Sequence, residues 1–167
     1  MIAIELLKKI EGFQGLTDEQ LSSLQDFCEE LTCQGETKLF TEGDLATHLW
    51  FVVEGRVDLR FEMPARRATD LDHTVTSVQV KRQDSAAKTL GWSCFVPPFK
   101  MRLSAYCVTD FCRIVTVPRD KLVLRFEKDP VMGYKFMSYM VTVVGYRFQQ
   151  FQDIVANIMG YTLMSGW

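Results

Sequence analysis

The sequence predicts a mainly β protein with flanking helices, on three observations. Gly35 to Phe61 falls into three short apolar or alternating segments, Glu36–Phe40, Thr47–Val53 and Arg56–Phe61. They are cut by Glu42-Gly43-Asp44 and Glu54-Gly55, where glycine supplies turn angles that other residues disfavour. Two further strand-like runs, Ser104–Val108 and Cys112–Val117, are joined by the turn Thr109-Asp110. The clear helix-start signals, Thr17-x-x-Gln20 and Asp129-Pro130, lie outside this region, one on each side.

In chain order, Ile2 to Ile10 forms a short helix with Ile4, Leu7 and Ile10 on one stripe. Thr17-Asp18-Glu19-Gln20 reads as a capping box, threonine and glutamine satisfying orphan amides reciprocally. The helix behind it runs three to four turns and buries Leu21, Leu24, Phe27, Cys28 and Leu31. His48–Val53 is a nearly continuous apolar run, so it is a deeply buried strand, with Trp50 and Phe51 on opposite sides and both poorly accessible. In the next segment Val57, Leu59 and Phe61 alternate with Arg56, Asp58, Arg60 and Glu62. That period predicts one buried and one wet face. Met63–Asp72 is a long polar hairpin loop, Thr74–Val80 a strand with Val75, Val78 and Val80 apolar, and Lys81–Lys88 a second polar interval.

Pro118 stops the last strand, and Arg119–Lys128 forms a short helix with Leu122, Val123 and Phe126 inward. Asp129 caps the final helix and Pro130 is its first residue. In that helix Tyr134, Met137, Val141, Val144, Phe148, Phe151, Val155 and Ile158 recur alternately at three and four residues. A sustained heptad of this kind predicts a coiled-coil seam, hence a homodimer through the helix. The same stripe could instead pack on the chain's own sheet; Tyr139, Met140, Tyr146 and Ile154 supply a further apolar face that favours the dimer. Gly160 is expected to end the helix, leaving Tyr161–Trp167 as a tail.

Three fragments carry a resemblance: Gly35-Glu36, Phe40-Thr41-Glu42-Gly43-Asp44, and Leu49 through Val57 with Glu54-Gly55 inside it. Together with Phe13, Leu16, Thr17 and Leu21 they resemble the opening of a cyclic-nucleotide-binding domain. The family is that of the bacterial catabolite activators and the regulatory subunits of cAMP-dependent kinase. The likeness runs from about Phe13 to the helix after Pro130. It implies a jelly-roll-like antiparallel β-roll, a double-stranded β-helix, between N-terminal helices and a long C-terminal helix. On that reading one domain spans 1–167, with helices at 1–31, the roll at 32–117, C-terminal helices at 118–160 and a tail at 161–167.

The resemblance also implies a phosphate-binding cassette at Gly91-Trp92-Ser93-Cys94 through Met101-Arg102-Leu103-Ser104, these eight being the candidate pocket residues. In the family a glutamate after the glycine accepts from the ribose hydroxyl, and an arginine neutralises the phosphate. Here Trp92 stands in the glutamate position. The arginine falls on Met101 if the interval is short and on Arg102 if it is long; counting back from the last strand favours Arg102. Lys100 lacks the rigid fork of a guanidinium. With Trp92, Phe95 and Phe99 the cassette is largely apolar, a costly setting for a phosphate. A cyclic nucleotide is therefore disfavoured, though Arg102 leaves genuine nucleotide sensing open. A ligand-sensing regulatory domain and a dimerisation or interaction scaffold with a closed pocket remain the main alternatives.

Composition narrows the classes further. Apolar residues make up 47% and charged residues 24% of the 167, with net charge −2. No basic field for nucleic acid follows from that balance. The five cysteines form no CxxC pair, and His48 and His73 sit in no metal or nucleophile motif. Neither an enzyme nor a metal site is expected. No signal-like segment and no run of roughly 18 apolar residues occurs, so a cytoplasmic protein without a membrane partner is expected.

Overall fold

The computed structural model describes residues 2–62, 74–79 and 88–164. Among the described residues eight strands form two four-stranded sheets: β1 (Glu29–Cys33), β2 (Lys38–Phe40), β3 (His48–Glu54), β4 (Arg56–Arg60), β5 (Thr74–Gln79), β6 (Thr89–Leu90), β7 (Ser104–Cys107) and β8 (Cys112–Pro118). One sheet runs β1-β8-β3-β6 and the other β2-β7-β4-β5, with every pairing antiparallel. Helices α1 (Ile4–Leu7) and α2 (Asp18–Gln25) precede the roll, and α3 (Arg119–Lys128) and α4 (Pro130–Met164) follow it. This is the expected β-roll between helices. The loop at Met63–Asp72, His73, most of Lys81–Lys88 and the side chains of Val75, Val78 and Ile158 lie outside the described residues.

The apolar run at His48–Val53 is explained by what lies on its two sides. Leu49 and Phe51, with Val115 and Val117 of β8, pack on the helices against Phe13, Leu122, Met132 and Phe136. Val52 and Ile114 face the other way, into the roll, with Val57, Leu59, Ala105 and Cys107. A strand buried on both faces has no reason to alternate. Phe51 is buried and Trp50 half-buried, touching both clusters.

Three local expectations are corrected. Helix α2 stops at Gln25, and Leu31 belongs to β1, which pairs with β8 from Glu29 to Cys33. Phe27 and Cys28 lie in the connection, so the roll begins before residue 32. Asp58 is not on a wet face: it is 6% exposed, while Phe61 is exposed. Arg56 and Arg60 approach the Asp58 carboxylate at 3.7 and 3.3 Å, which makes burial of the charge tolerable. Gly160 does not end α4, which continues to Met164.

The two long-range helix starts are joined. Thr17 and Gln20 form the capping box, and Gln20 Nε2 also donates to Asp129 Oδ2 at 2.6 Å. Asp129 Oδ1 accepts from the Met132 amide at 3.0 Å, capping α4. These two bonds hold the Asp129 carboxyl below its ordinary range. Met132, Phe136, Met140 and Val143 of α4 are buried against the roll. Gly133 lets α3 come close, since a Cβ there would meet the Phe126 Cβ at 2.9 Å. Tyr134, Met137, Val141, Val144 and Phe148 face away and are exposed, Phe151 is exposed on the side of the roll, and Val155 is half-buried.

Candidate functional site

A cleft of about 1040 Å³ lies between the roll and the second half of α4. Its floor is apolar, formed by Phe40, Leu59, Leu90 and Leu103. One wall is the cassette, Gly91-Trp92-Ser93 and Lys100-Met101-Arg102; the other is α4, through Arg147, Gln150, Phe151, Ile154 and Val155. Glu42, Gly43, Phe61 and Thr89 complete the described lining.

The cassette is built on one backbone constraint. Gly91 has φ +77, and a Cβ there would stand 2.5 Å from the His48 carbonyl oxygen. Only glycine satisfies both conditions without strain. It opens a single 3-10 turn, Trp92–Phe95, closed by the Cys94 amide donating to the Gly91 carbonyl at 3.0 Å. The turn presents Trp92 to the cleft.

Across from it, Met101 is held on both sides by the 43–44 turn. Its amide donates to the Asp44 carbonyl at 2.8 Å, and its carbonyl accepts from the Gly43 amide at 2.9 Å. The Met101 side chain is 5% exposed and packs into the main core at the edge of the cleft. Arg102 and Lys100 also line the cleft but are exposed. The structure thus buries the Met101 thioether beside the cleft and leaves Arg102 exposed in its lining.

Of the eight candidate pocket residues, Gly91, Trp92, Ser93, Met101, Arg102 and Leu103 line the cleft together. Cys94 and Ser104 are not among its lining residues. Cys94 is fully buried in the core, and burial pushes its thiol up to about 12. The buried Ser104 hydroxyl accepts from the Glu42 amide at 2.8 Å, fixing the rim loop. Cys28 is likewise pushed up to about 12 by burial, so neither thiol is a competent nucleophile near neutral pH. Among the described residues no cluster of histidine, cysteine, aspartate and glutamate could hold a metal ion.

Sequence reasoning missed the polar pair on the helix wall, Arg147 and Gln150. Arg147 Nη1 donates to Gln150 Oε1 at 3.0 Å, and Gln150 Nε2 donates to the Tyr146 hydroxyl at 3.1 Å. Their spacing to Val143 and Ile154 is the legible signal: 143, 147, 150 and 154 share one helix face, the one turned to the roll.

No protein-family profile matches the chain, and no curated protein sequence matches it. Solved structures do. A Geobacter metallireducens GS-15 protein described as cyclic-nucleotide-binding is 26% identical, with 89% of this chain and 99% of that one covered and a TM-score of 0.70. A cyclic nucleotide-binding domain from Methylobacillus flagellatus KT is 18% identical, covering 92% and 81%, with a TM-score of 0.71. The Thermus thermophilus catabolite activator protein is 16% identical, covering 89% and 62%, with a TM-score of 0.61. The chain has the fold of the cyclic-nucleotide-binding domains, which supports a regulatory or sensory domain. Among the described residues no helix is long and apolar enough to cross a membrane.

Proposed function

We propose that this chain is a cytoplasmic regulatory domain that senses a small molecule in the cleft, with a degenerate cassette and little affinity for cAMP or cGMP. It works as one functional unit without catalysis, metal or nucleic acid, and pairs with a second copy through α4. The observation that carries the reading is Trp92, which lines the cleft directly after Gly91 where a ribose-binding carboxylate is expected. Loss of one charged acceptor costs about 1.5–3 kcal/mol, roughly one to two orders of magnitude in affinity. The inward Met101 removes a second favourable charge from the phosphate position.

A closed interaction scaffold is less well supported, because the cleft is roomy and carries polar groups, Thr89, Ser93, Arg147 and Gln150, among its apolar ones. Genuine nucleotide sensing keeps one supporting observation, Arg102 in the cleft lining. Isothermal titration with cAMP and cGMP decides between these. No saturable site in the low micromolar range is expected; tight binding lost in Arg102→Gln would establish the nucleotide-sensing reading instead.

A further inference from the structure

The cleft has a cation where the cassette would not put one. Arg147 stands on the α4 wall, and Gln150 lies one turn further along the same face. The Arg147 guanidinium is 5.6 Å from the Tyr146 ring centre and bonded to Gln150, two neighbours on its own helix. Burial pushes Arg147 down to about 10, the response of a cation withdrawn from water. It remains charged at neutral pH.

Most of the other charged lining has the same sign. Lys100 and Arg102 are exposed in it, and Glu42 is the single carboxylate among the described lining residues. One of its oxygens already accepts from the Glu62 amide at 2.8 Å. Cationic groups above an apolar floor favour a ligand that is itself divided, with an acid group at one end and an apolar body at the other. A guanidinium's fork matches a carboxylate or sulfonate closely, and an indole face suits a flat ring.

Resting on the reading of this cleft as a ligand site, we infer that it takes an amphipathic organic anion, with the acid group on Arg147 and Gln150 and an aromatic body against Trp92, Leu90 and Leu59. The charge is thus met by the helix rather than by the cassette. Ligand occupancy would then bear directly on α4.

Two fluorescent probes test this on the full chain. One is 8-anilinonaphthalene-1-sulfonate; the other is N-phenyl-1-naphthylamine, which has the same rings and no acid group. The anion is expected to bind saturably and at least tenfold more tightly than the neutral compound. Arg147→Gln should erase that preference, and Arg147→Lys should retain part of it. Equal affinities in the unmodified protein would overturn the anion assignment while leaving the cleft a ligand site. So would a preference that survives Arg147→Gln. Should neither probe bind, the reading of the cleft as a ligand site falls as well. Val141→Asp with Phe148→Asp, on the opposite helix face, should leave the preference intact; its loss would place the probes on that face and overturn the inference. The two-probe comparison needs no substitution, so it stays decisive if Arg147→Gln does not fold.

Discussion

The Thr89 hydroxyl lies 2.6 Å from the Tyr139 hydroxyl, a hydrogen bond between the strand that leads into the cassette and the helix that covers the cleft. Thr89 is fully buried and Tyr139 half-buried. The bond therefore ties the strand beside one wall of the site to the helix that carries the other.

Removing that hydroxyl should be felt. Tyr139→Phe leaves a buried threonine short of a partner and is expected to cost about 1–2 kcal/mol in denaturant unfolding. Thr89→Val added to it should restore part of the loss, since the threonine hydroxyl is then no longer left unsatisfied. A double variant as unstable as the sum of the singles would show that the hydroxyls act separately. Burial also pushes the Tyr139 hydroxyl up to about 12. The unfolded chain then loses its proton first, so this contribution is complete below pH about 10 and fades toward pH 12. In Tyr139→Phe that alkaline loss should shrink.

On the outer face of the second sheet, the Tyr106 hydroxyl donates to Glu62 Oε1, and Lys38 Nζ lies 3.0 Å from the same oxygen. These hold the Glu62 carboxyl down at about 2. The stability it brings is present above the ordinary glutamate range and is lost as pH falls toward 2. Glu62 is largely exposed, so solvent screening keeps the effect small. Carboxyl titration by nuclear magnetic resonance should place Glu62 below the ordinary glutamate range, and Tyr106→Phe should move it up.

The outward stripe of α4 gives the assembly prediction. Val141 is 70% and Phe148 59% exposed, and neither lines the cleft, whereas Phe151 does. Val141→Asp with Phe148→Asp should therefore leave the fold unchanged and yield monomers, while the unmodified chain sediments as a dimer. A large apolar stripe left in water is unusual for a monomer. An unmodified protein that remains monomeric at high micromolar concentration would contradict the pairing.

The cassette predicts how nucleotide binding could be restored. Because Met101 points inward and Arg102 is exposed, Trp92→Glu alone should improve cAMP binding only slightly. Trp92→Glu with Met101→Arg should give saturable titration, provided circular dichroism shows the pair still folds. Strong binding by Trp92→Glu alone would instead make Arg102 the phosphate ligand.

Much of the fold was legible because it rests on local rules. Thr17 and Gln20 cap a helix through their own side chains, and Asp129-Pro130 starts one in the same way. What was not legible depends on distant partners. The strand at Glu29–Cys33 has only weak alternation of its own and exists because β8 pairs with it. Asp58 looks like a surface residue until Arg56 and Arg60 are seen to enclose it. Gly160 passes as a helix end, yet its φ is not left-handed and the helix runs through it. At the site, the departure at Trp92 could be read directly. The inward turn of Met101 could not, since it follows from backbone bonds to Asp44 and Gly43 far away in sequence.

At about 1.5 Å per residue, the 35 residues of α4 make a rod of about 52 Å. Its near end is gripped: Gly133 lies against Phe126, and Phe136 is ringed by Phe13, Phe95, Phe126 and Tyr139. From Val144 onward some 30 Å of helix extends beyond that grip. A tilt of about 5° at the pivot would carry the tip by roughly 2.6 Å over that length. A ligand bearing on Arg147 would push near the fulcrum, where little movement is needed, and the displacement would be delivered at the far end. The helix has the proportions of a lever.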